Sequence, residues 1–388
     1  MGADTERAGK QHLHETGSHT LMGKLLRRFW HPIALSRELQ PGHAMAVRVL
    51  SEDLTLYRGQ SGTAHLVGGR CAHRCTKLHT GWIEKESIRC MYHGWLFNED
   101  GLCTEIPAES KPRAKAARIA AYPVQEYMGL VFAWLGNSPA PAFDLPRKDP
   151  LEAPGTHVFA KREIWPANWF QQVENSMDAV HVGFAHMWGV VGEFGAHING
   201  GVSVPALSYE ETSSGIRQIA RRSESNVRIS DWTFPNNNHV VAPTPDKAAP
   251  WGHISAWPVP VDDRNTMRFT LYTVTEENPD KLRWYEEQFD LDYDPSHDHT
   301  RLFSGDLSNI SEPGLISAQD YVAVCGQGEI ADRFEENLST SDAGVIFLRR
   351  VFLRELECIR QDKPTKDWGR LAEAAHLPPP PTVAAERA

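Results

Sequence analysis

Long apolar runs are absent from this 388-residue chain. None approaches the ~18 residues a membrane-spanning helix needs. The best, Tyr127 to Gly136, is the size of a strand. A secretory signal is not expected either, because Met1 to His19 is polar and mixed in charge. Excess positive charge is missing: 40 Lys and Arg against 50 Asp and Glu leave a net charge of −10. So acidic a chain is a poor general binder of polyanions, and neither nucleic acid nor membrane is an expected partner. Cysteine is scarce. The six, Cys71, Cys75, Cys90, Cys103, Cys325 and Cys358, are too few for a disulfide framework in a chain this long without a signal. A metal-binding or catalytic role is expected instead, in the cytoplasm. No G-x-G-x-x-G follows a strand, so NAD(P)H and flavin should bind another protein. No repeat of solenoid or propeller period is present.

What is there suits a folded, multidomain chain. Hydrophobic residues make up 41%, enough for a sizeable core and too many for a disordered chain. The length points to two or three domains. The first part reads as short strands, Ala44–Val49, Leu54–Tyr57, Ala64–Val67 and Val131–Leu135, preceded by a helix over Met22 to Trp30. Prolines 139, 141, 146, 150 and 154 then mark a stiff connector. Beyond it the pattern mixes strands (Ile254–Val259, Met267–Thr275) with helices (Trp169 to His181, Pro279 to Phe289, and one begun by Asp342). That order indicates an α+β domain. The four consecutive prolines after Leu377 suggest a disordered tail.

Two constellations carry chemistry. The first is Cys71-x-His73, then, after sixteen intervening residues, Cys90-x-x-His93. Each segment supplies one thiolate and one imidazole. A tetrahedral zinc site also accepts two Cys and two His, but zinc fingers pair like with like. Alternation suits a [2Fe–2S] cluster in which Cys71 and Cys90 hold one iron and His73 and His93 the other. Neutral imidazoles make that iron easier to reduce.

The second runs from Asn168 to His186 and contains Glu174, Asn175, Asp178, His181 and His186. On one helix, Glu174, Asp178 and His181 share a face. His186 lies about 140° from His181 on an ideal helix, so both reach one metal only if the helix bends or ends between them, and Gly183 is placed to permit that. Two His plus one carboxylate form the facial triad of mononuclear iron(II) sites that activate O2. Asp306, Asp320, Asp332 and Asp342 are candidates for the carboxylate, and spacing does not choose among them.

Cys-x-His-Arg-x-x-x-Leu-x-x-Gly-Trp, from Cys71, followed by Cys-x-Tyr-His-Gly-Trp-x-Phe, from Cys90, resembles the Rieske domain of Rieske non-haem iron oxygenases. Glu174-Asn175-x-x-Asp178-x-x-His181-x-x-x-x-His186 is similar to the same family's second motif. The early Met22-Gly23-x-Leu-x-Arg-Arg-x-Trp-His-Pro run and the Asp332-Arg333 and Arg349-Arg350 pairs match its phthalate dioxygenase-like branch. The resemblance covers roughly Met22 to Phe352. It departs at Cys75, where the family often has Gly, and at Ala179, where it usually has Pro. Met91 and Tyr92 stand where respiratory Rieske proteins carry a disulfide cysteine, so Cys75, Cys103, Cys325 and Cys358 read as packed thiols.

The resemblance implies an α+β chain: an all-β Rieske [2Fe–2S] domain (24–138) after an N-terminal arm (1–23), a Pro-rich linker (139–160), and a mononuclear-iron domain (161–376) with an antiparallel sheet and helices of helix-grip, START-like form, ending in a disordered tail (377–388). It implies His181, His186 and Asp320 as iron ligands, Asp178 as a bridging carboxylate, and Asn175 near the iron. It implies a terminal oxygenase that uses O2 and electrons from an NAD(P)H-dependent reductase, through flavin and/or ferredoxin, to hydroxylate or O-/N-demethylate an aromatic compound. A homotrimer, or a multiple of it, is implied too, with cluster and iron of neighbouring subunits joined through His73 or His93 and Asp178. The alternatives are a Rieske electron carrier with a non-catalytic binding domain, and a zinc-binding regulator. Pocket residues are less legible. Asn236 to His239, Trp251 and His253 could line it; loop polarity and core aromatics are the plainer reading. Arg221, Arg222 or Arg228 could hold a substrate carboxylate, with solvated strand charges the plainer reading.

Overall fold

The computed structural model describes residues 12–109, 117–143, 145, 152–186, 204–224, 227–242, 252–288, 296–306 and 312–368. It divides into two compact units, one of residues 15–143 with 259–263, the other of 1–14, 144–258 and 264–388. The C-terminal tail expected from Leu377 lies outside the described residues.

The first unit is built almost wholly of strands. Helix α1 (Leu21–Leu26) is capped by Thr20, whose hydroxyl accepts from the Gly23 N–H. The strands are β1 (Trp30–Leu35), β2 (Ala44–Val49), β3 (Glu52–Arg58), β4 (Ala64–Gly68), β5 (Trp82–Glu84), β6 (Ser87–Arg89), β7 (Leu96–Phe97), β8 (Cys103–Glu105), β9 (Ala121–Tyr122), β10 (Val124–Tyr127) and β11 (Leu130–Trp134). They form three antiparallel sheets, ordered β1-β11-β10, β2-β3-β4-β9 and β5-β6-β7-β8. Two expectations are corrected here. The helix expected over Met22 to Trp30 ends at Leu26, and Trp30 opens a strand. The N-terminal arm is ordered where this unit includes it: Thr16 is fully buried and donates from its N–H and hydroxyl to Asp263 Oδ1.

The second unit is one seven-stranded antiparallel sheet with helices. Its strands are β12 (Thr156–Trp165), β13 (Ala206–Glu211), β14 (Gly215–Arg221), β15 (Val227–Thr233), β16 (Asn237–Ala242), β17 (Gly252–Pro260) and β18 (Thr266–Thr275), ordered β12-β18-β17-β16-β15-β14-β13. Its helices are α2 (Trp169–Ser176), α3 (His181–Phe184), α4 (Pro279–Gln288), α5 (Ser296–Phe303), α6 (Glu312–Cys325) and α7 (Ala343–Arg360). Side chains alternate across a sheet, and the register pairs Tyr209 with Gln218 and Gln218 with Ser230. That face therefore carries Tyr209, Ile216, Gln218, Ala220, Ser230 and Trp232. Helix α7 covers it, with Phe347 stacked on Tyr209 and Phe352 against Trp232. Phe352 also meets Phe170 edge-on at 4.9 Å and Phe234 at 4.7 Å between ring centroids. Each such buried aromatic contributes about 1.5–3 kcal/mol of apolar burial.

Charge fixes what apolar packing leaves free. Glu174 on α2 is buried between two buried arginines. Arg333 forks onto it through Nε and Nη2 at 3.0 and 2.8 Å, and Arg349 of α7 reaches it through Nε at 2.6 Å. Arg349 turns its other two nitrogens onto Glu336. Gln171, one turn earlier on α2, donates to the carbonyls of Val324 and Gly328 and accepts from the Ala331 N–H. Helix α2 is thus tied to the end of α6, to the segment after it and to α7. Gly344 permits the approach of α7, since a Cβ there would lie 2.2 Å from the Met177 carbonyl oxygen.

Removing one member of a buried charge cluster strands the others. Glu174→Gln should therefore lower the unfolding free energy by about 3 kcal/mol or more, read from urea midpoints. Burial opposes ionisation of Glu174, but Arg333 and Arg349 outweigh it and hold its pKa below the usual value. Its contribution is then present in full above the ~4.3 of an ordinary glutamate and lost as pH falls through the lower folded value. The difference between wild type and variant should be flat above that pH and shrink below it.

Candidate functional site: two metal centres

The first centre sits on two matching loops. In the first, Cys71 N–H donates to the Thr76 carbonyl at 2.8 Å and Cys75 N–H to the Cys71 carbonyl at 3.0 Å. In the second, Cys90 N–H donates to the Trp95 carbonyl at 2.9 Å and Gly94 N–H to the Cys90 carbonyl at 3.0 Å. Cys75 and Gly94 are equivalent in this pattern, and both take a left-handed backbone, with φ of 59° and 73°. The loop geometry wants glycine at both, and Cys75 tolerates it at a cost of roughly 1 kcal/mol. Cys75 is exposed, which corrects its reading as a packed thiol; Cys103 is buried, and Cys325 and Cys358 are half-buried.

The donors are sorted by depth. Cys71 and Cys90 are each 2% exposed, whereas His73 and His93 are exposed. The imidazoles lie 4.6 Å apart, and Trp95 stacks on His73 at 4.7 Å with planes 4° apart. Arg89 ties the second loop to its sheet, donating to the Gly94 carbonyl and to Glu84 and Glu105. Burial, with the neighbouring Cys90 thiol, pushes the Cys71 thiol up to about 11. Two adjoining buried thiols with two imidazoles on the open side fit a [2Fe–2S] cluster ligated two and two.

The second centre draws on three elements. Asn168 caps α2, accepting from the Phe170 N–H. The helix ends at Ser176, so the break precedes His181, and Asp178 is not on a helix face shared with Glu174 as expected. Asp178 instead caps α3: its Oδ1 accepts from the N–H groups of Val180 and His181 at 2.8 and 3.2 Å. His181 opens α3, and His186 lies just past its end. Gly183 stays inside α3 without a left-handed backbone. From α6 comes Asp320, whose Oδ1 is 3.4 Å from Nε2 of both His181 and His186.

Both histidines are held by their other nitrogen. His186 Nδ1 donates to Gln319 Oε1 at 3.0 Å, and His181 Nδ1 donates to the Asp178 carbonyl. That fixes the tautomer and turns each Nε2 toward Asp320. Asn175 Nδ2 also approaches Asp320 Oδ1, at 3.4 Å. Ligand atoms of His181, His186 and Asp320 all lie within 4.8 Å of one another, and this is the only such group among the described residues. Burial opposes ionisation of Asp320, but His186 and His181 hold it well below the usual carboxylate range. Burial works against charge on His181 as well, yet Asp320 and Asp178 raise its pKa. A proton and a divalent cation thus compete for one electronegative pocket. Two imidazoles and one carboxylate fit mononuclear iron(II) with open positions.

The other candidate carboxylates are engaged elsewhere. Asp306 pairs with Arg301, Asp332 caps the Phe334 N–H, and Asp342, at the N-cap of α7, accepts from the Ser339 N–H. His239 hydrogen-bonds both His253 and Ser255, Asn236 and Asn237 donate to strand carbonyls, and Trp251 lies outside the described residues. Sequence reasoning gave no role to Gln319, which precedes the chosen ligand Asp320, and missed the Trp95 stack and the clamp on Glu174. The only signals for the clamp were two arginines beyond the ligand helix, one of them inside an apolar-periodic helix.

This double-centred α+β architecture is that of a two-iron-site oxygenase. A Rieske [2Fe-2S] domain profile matches residues 29–127. The chain is 32% identical to the 5,5'-dehydrodivanillate O-demethylase oxygenase subunit of Sphingobium sp. (91% of this chain, 81% of the relative). It is also 32% identical to the phenoxybenzoate dioxygenase subunit alpha of Ectopseudomonas oleovorans (92% and 90%). Among solved structures, NdmA of Pseudomonas putida CBB5 with caffeine aligns at a TM-score of 0.70 and 20% identity, over 91% of this chain and 97% of that one. The chain belongs to the Rieske non-haem iron oxygenases, as a terminal oxygenase subunit of the branch that includes phthalate 4,5-dioxygenase. It is an oxidoreductase whose cofactors are a Rieske cluster and mononuclear iron. No helix among the described residues is long and apolar enough to cross a membrane.

Asp320→Ala should strip the mononuclear iron to below about a tenth of its wild-type content while the red cluster spectrum persists. Metal analysis beside the visible spectrum decides this. Loss of iron in an Asp306, Asp332 or Asp342 variant instead would move the ligand elsewhere.

Proposed function

We propose that this subunit oxidises an aromatic compound, by hydroxylation or O-/N-demethylation, with electrons delivered by a separate NAD(P)H-dependent reductase through flavin and/or ferredoxin. The observation that carries the reading is the convergence of His181, His186 and Asp320, each histidine braced through Nδ1. In this assignment Cys71, His73, Cys90 and His93 hold the cluster. Asp178 is the bridging carboxylate and Asn175 a neighbour of the iron. When bound, the cluster supplies single electrons and the iron activates O2. Asn175 contributes an N–H that steadies Asp320. Asp178 holds α3 and the Nδ1 proton of His181 at once. Burial of His186, Gln319 and Asp320 keeps bulk water from the ligand atoms.

Relatives named for phenoxybenzoate and phthalate support an aromatic substrate, and the carbazole 1,9a-dioxygenase oxygenase solved with its ferredoxin supports such a partner. A relative of equal identity is named for tert-butanol, so the family alone does not impose the aromatic ring. The proposal includes a homotrimer or a multiple of it, in the cytoplasm, with domain limits at 24–138 and 161–376.

Asp178→Asn keeps a cap for α3 but removes the charge. It should retain both metals and lose turnover by about 100-fold or more, judged by oxygen uptake; a near-normal rate would remove Asp178 from the bridge. A single turnover of reduced protein with isotope-labelled O2 and a panel of arenes tests the whole reading. Two labels in the product mean dihydroxylation. One label, or formaldehyde from a lost methyl group, means monooxygenation. No labelled product from any arene by fully metallated protein overturns the reading.

A further inference from the structure

A buried hydroxyl beside the second centre has no hydrogen-bond partner. It belongs to Tyr209 of β13, which stands opposite Gln218 of β14 on the sheet face under α7. Gln218 Nε2 donates at 2.8 Å to the carbonyl of Met177, the residue before Asp178. The phenol ends at the same place. A Cβ added at Gly344, in the first turn of α7, would lie 2.6 Å from the Tyr209 oxygen and 2.2 Å from the Met177 carbonyl oxygen. Gln218 and the Gly344 N–H lie alongside the hydroxyl without completing a hydrogen bond. Phe347 stacks on the ring, with centroids 6.2 Å apart, so packing sets where the phenol sits.

Such a hydroxyl is a cost to the fold. A buried donor without an acceptor loses its water and gains nothing in return. Other buried hydroxyls of this unit are matched: Thr266 donates to the Ala167 carbonyl, and Ser255 pairs with His239. A ring that only filled space would be better as phenylalanine. Burial pushes the Tyr209 pKa up to about 12, and the charge of Asp178 adds to the push. The phenol therefore stays a protonated donor, within the field of that carboxylate.

Asp178 has acceptor capacity to spare. Its Oδ1 accepts from both N–H groups that open α3. Its Oδ2 stands 3.8 Å from His181 Nδ1 and has no hydrogen-bond partner among the described residues. A carboxylate offers about four acceptor sites. Two serve α3, one would serve the cluster imidazole, and one is left.

We propose that Tyr209 is a positioning residue for the electron bridge: its hydroxyl donates to the Asp178 carboxylate as that group engages the cluster imidazole, and so fixes the carboxylate's orientation. The proposal rests on the reading of Asp178 as the bridge and adds the residue that aims it.

The test places one electron on the oxidised cluster of the assembled, metal-loaded enzyme, under anaerobic conditions with the mononuclear iron ferric. Triethanolamine supplies the electron through photoexcited ruthenium tris-bipyridine. The cluster's colour bleaches, then recovers as the electron passes to iron(III), which becomes iron(II). Tyr209→Phe should keep both metals and the cluster's midpoint potential, and unfold at a urea midpoint equal to or above that of wild type. It should slow the recovery about tenfold or more. 4-Fluorophenylalanine incorporated at position 209 fills the hydroxyl's volume without its proton. It should be as slow, and it takes the place of Tyr209→Phe should that variant fail to accumulate. Asp178→Asn is the reference. Wild-type speed at position 209 with Asp178→Asn slow overturns the role of Tyr209 and leaves the bridge standing. Slowing that only follows lost iron or a shifted potential makes Tyr209 structural and overturns it too. Asp178→Asn as fast as wild type, or a wild-type cluster that never recovers, removes the bridge itself and the positioning role with it.

Discussion

The buried carboxylate of Glu174, shared between Arg333 and Arg349, is the interaction on which the rest of the iron-bearing unit depends. Two cations could not be buried side by side without it, and a lone glutamate could not be buried there at all. Because one arginine follows α6 and the other lies within α7, the carboxylate fixes three elements relative to one another. Helix α2 then has a defined end, and the chain leaving it has a defined direction. Asp178, His181 and His186 follow within that stretch, while Asp320 arrives on α6. Gln171 repeats the same join in uncharged form. The metal ligands therefore need no strain of their own to meet.

The two centres solve opposite problems. At the cluster loops the thiols are buried and the imidazoles open, so charge is screened from water while one edge stays available to a partner. At the second centre the donors face inward, and each imidazole is oriented by a neighbour outside the ligand set. A carboxylate among imidazoles makes this pocket electronegative.

Much of this was legible in the chain itself. Ligand types at fixed spacing are local, so Cys71, His73, Cys90, His93, His181 and His186 stand out without a structure. Strand limits such as Ala44–Val49 follow from alternation between turn residues. What was not legible is what distance in sequence hides. Gln319 looks like any helix polar residue until His186 is placed beside it, 133 positions away. The break fell before Asp178 rather than at Gly183: α2 ends at Ser176, and the Asp178 carboxylate accepts from the N–H groups that open α3. Trp30 joined a strand because its register with Trp134 outweighs the helical pattern before it. Arg228, whose plainer reading is a solvated strand charge, is half-buried, since one strand cannot reveal which face its neighbours cover.

The position of Asp320 also has a consequence for biosynthesis. The two histidines leave the ribosome long before their carboxylate, on the order of ten seconds earlier at ~5–20 residues per second. Strand β12, the first of the large sheet, must likewise wait for β18, the last, which is its only neighbour among the described strands. Contacts this distant make assembly slow. A nascent chain therefore carries two exposed imidazoles and an incomplete ligand set, open to capture by whichever transition metal binds histidine most strongly. Selectivity for iron can begin only once the last of the three elements has docked, so the cell's metal supply and the order of translation act on the same site.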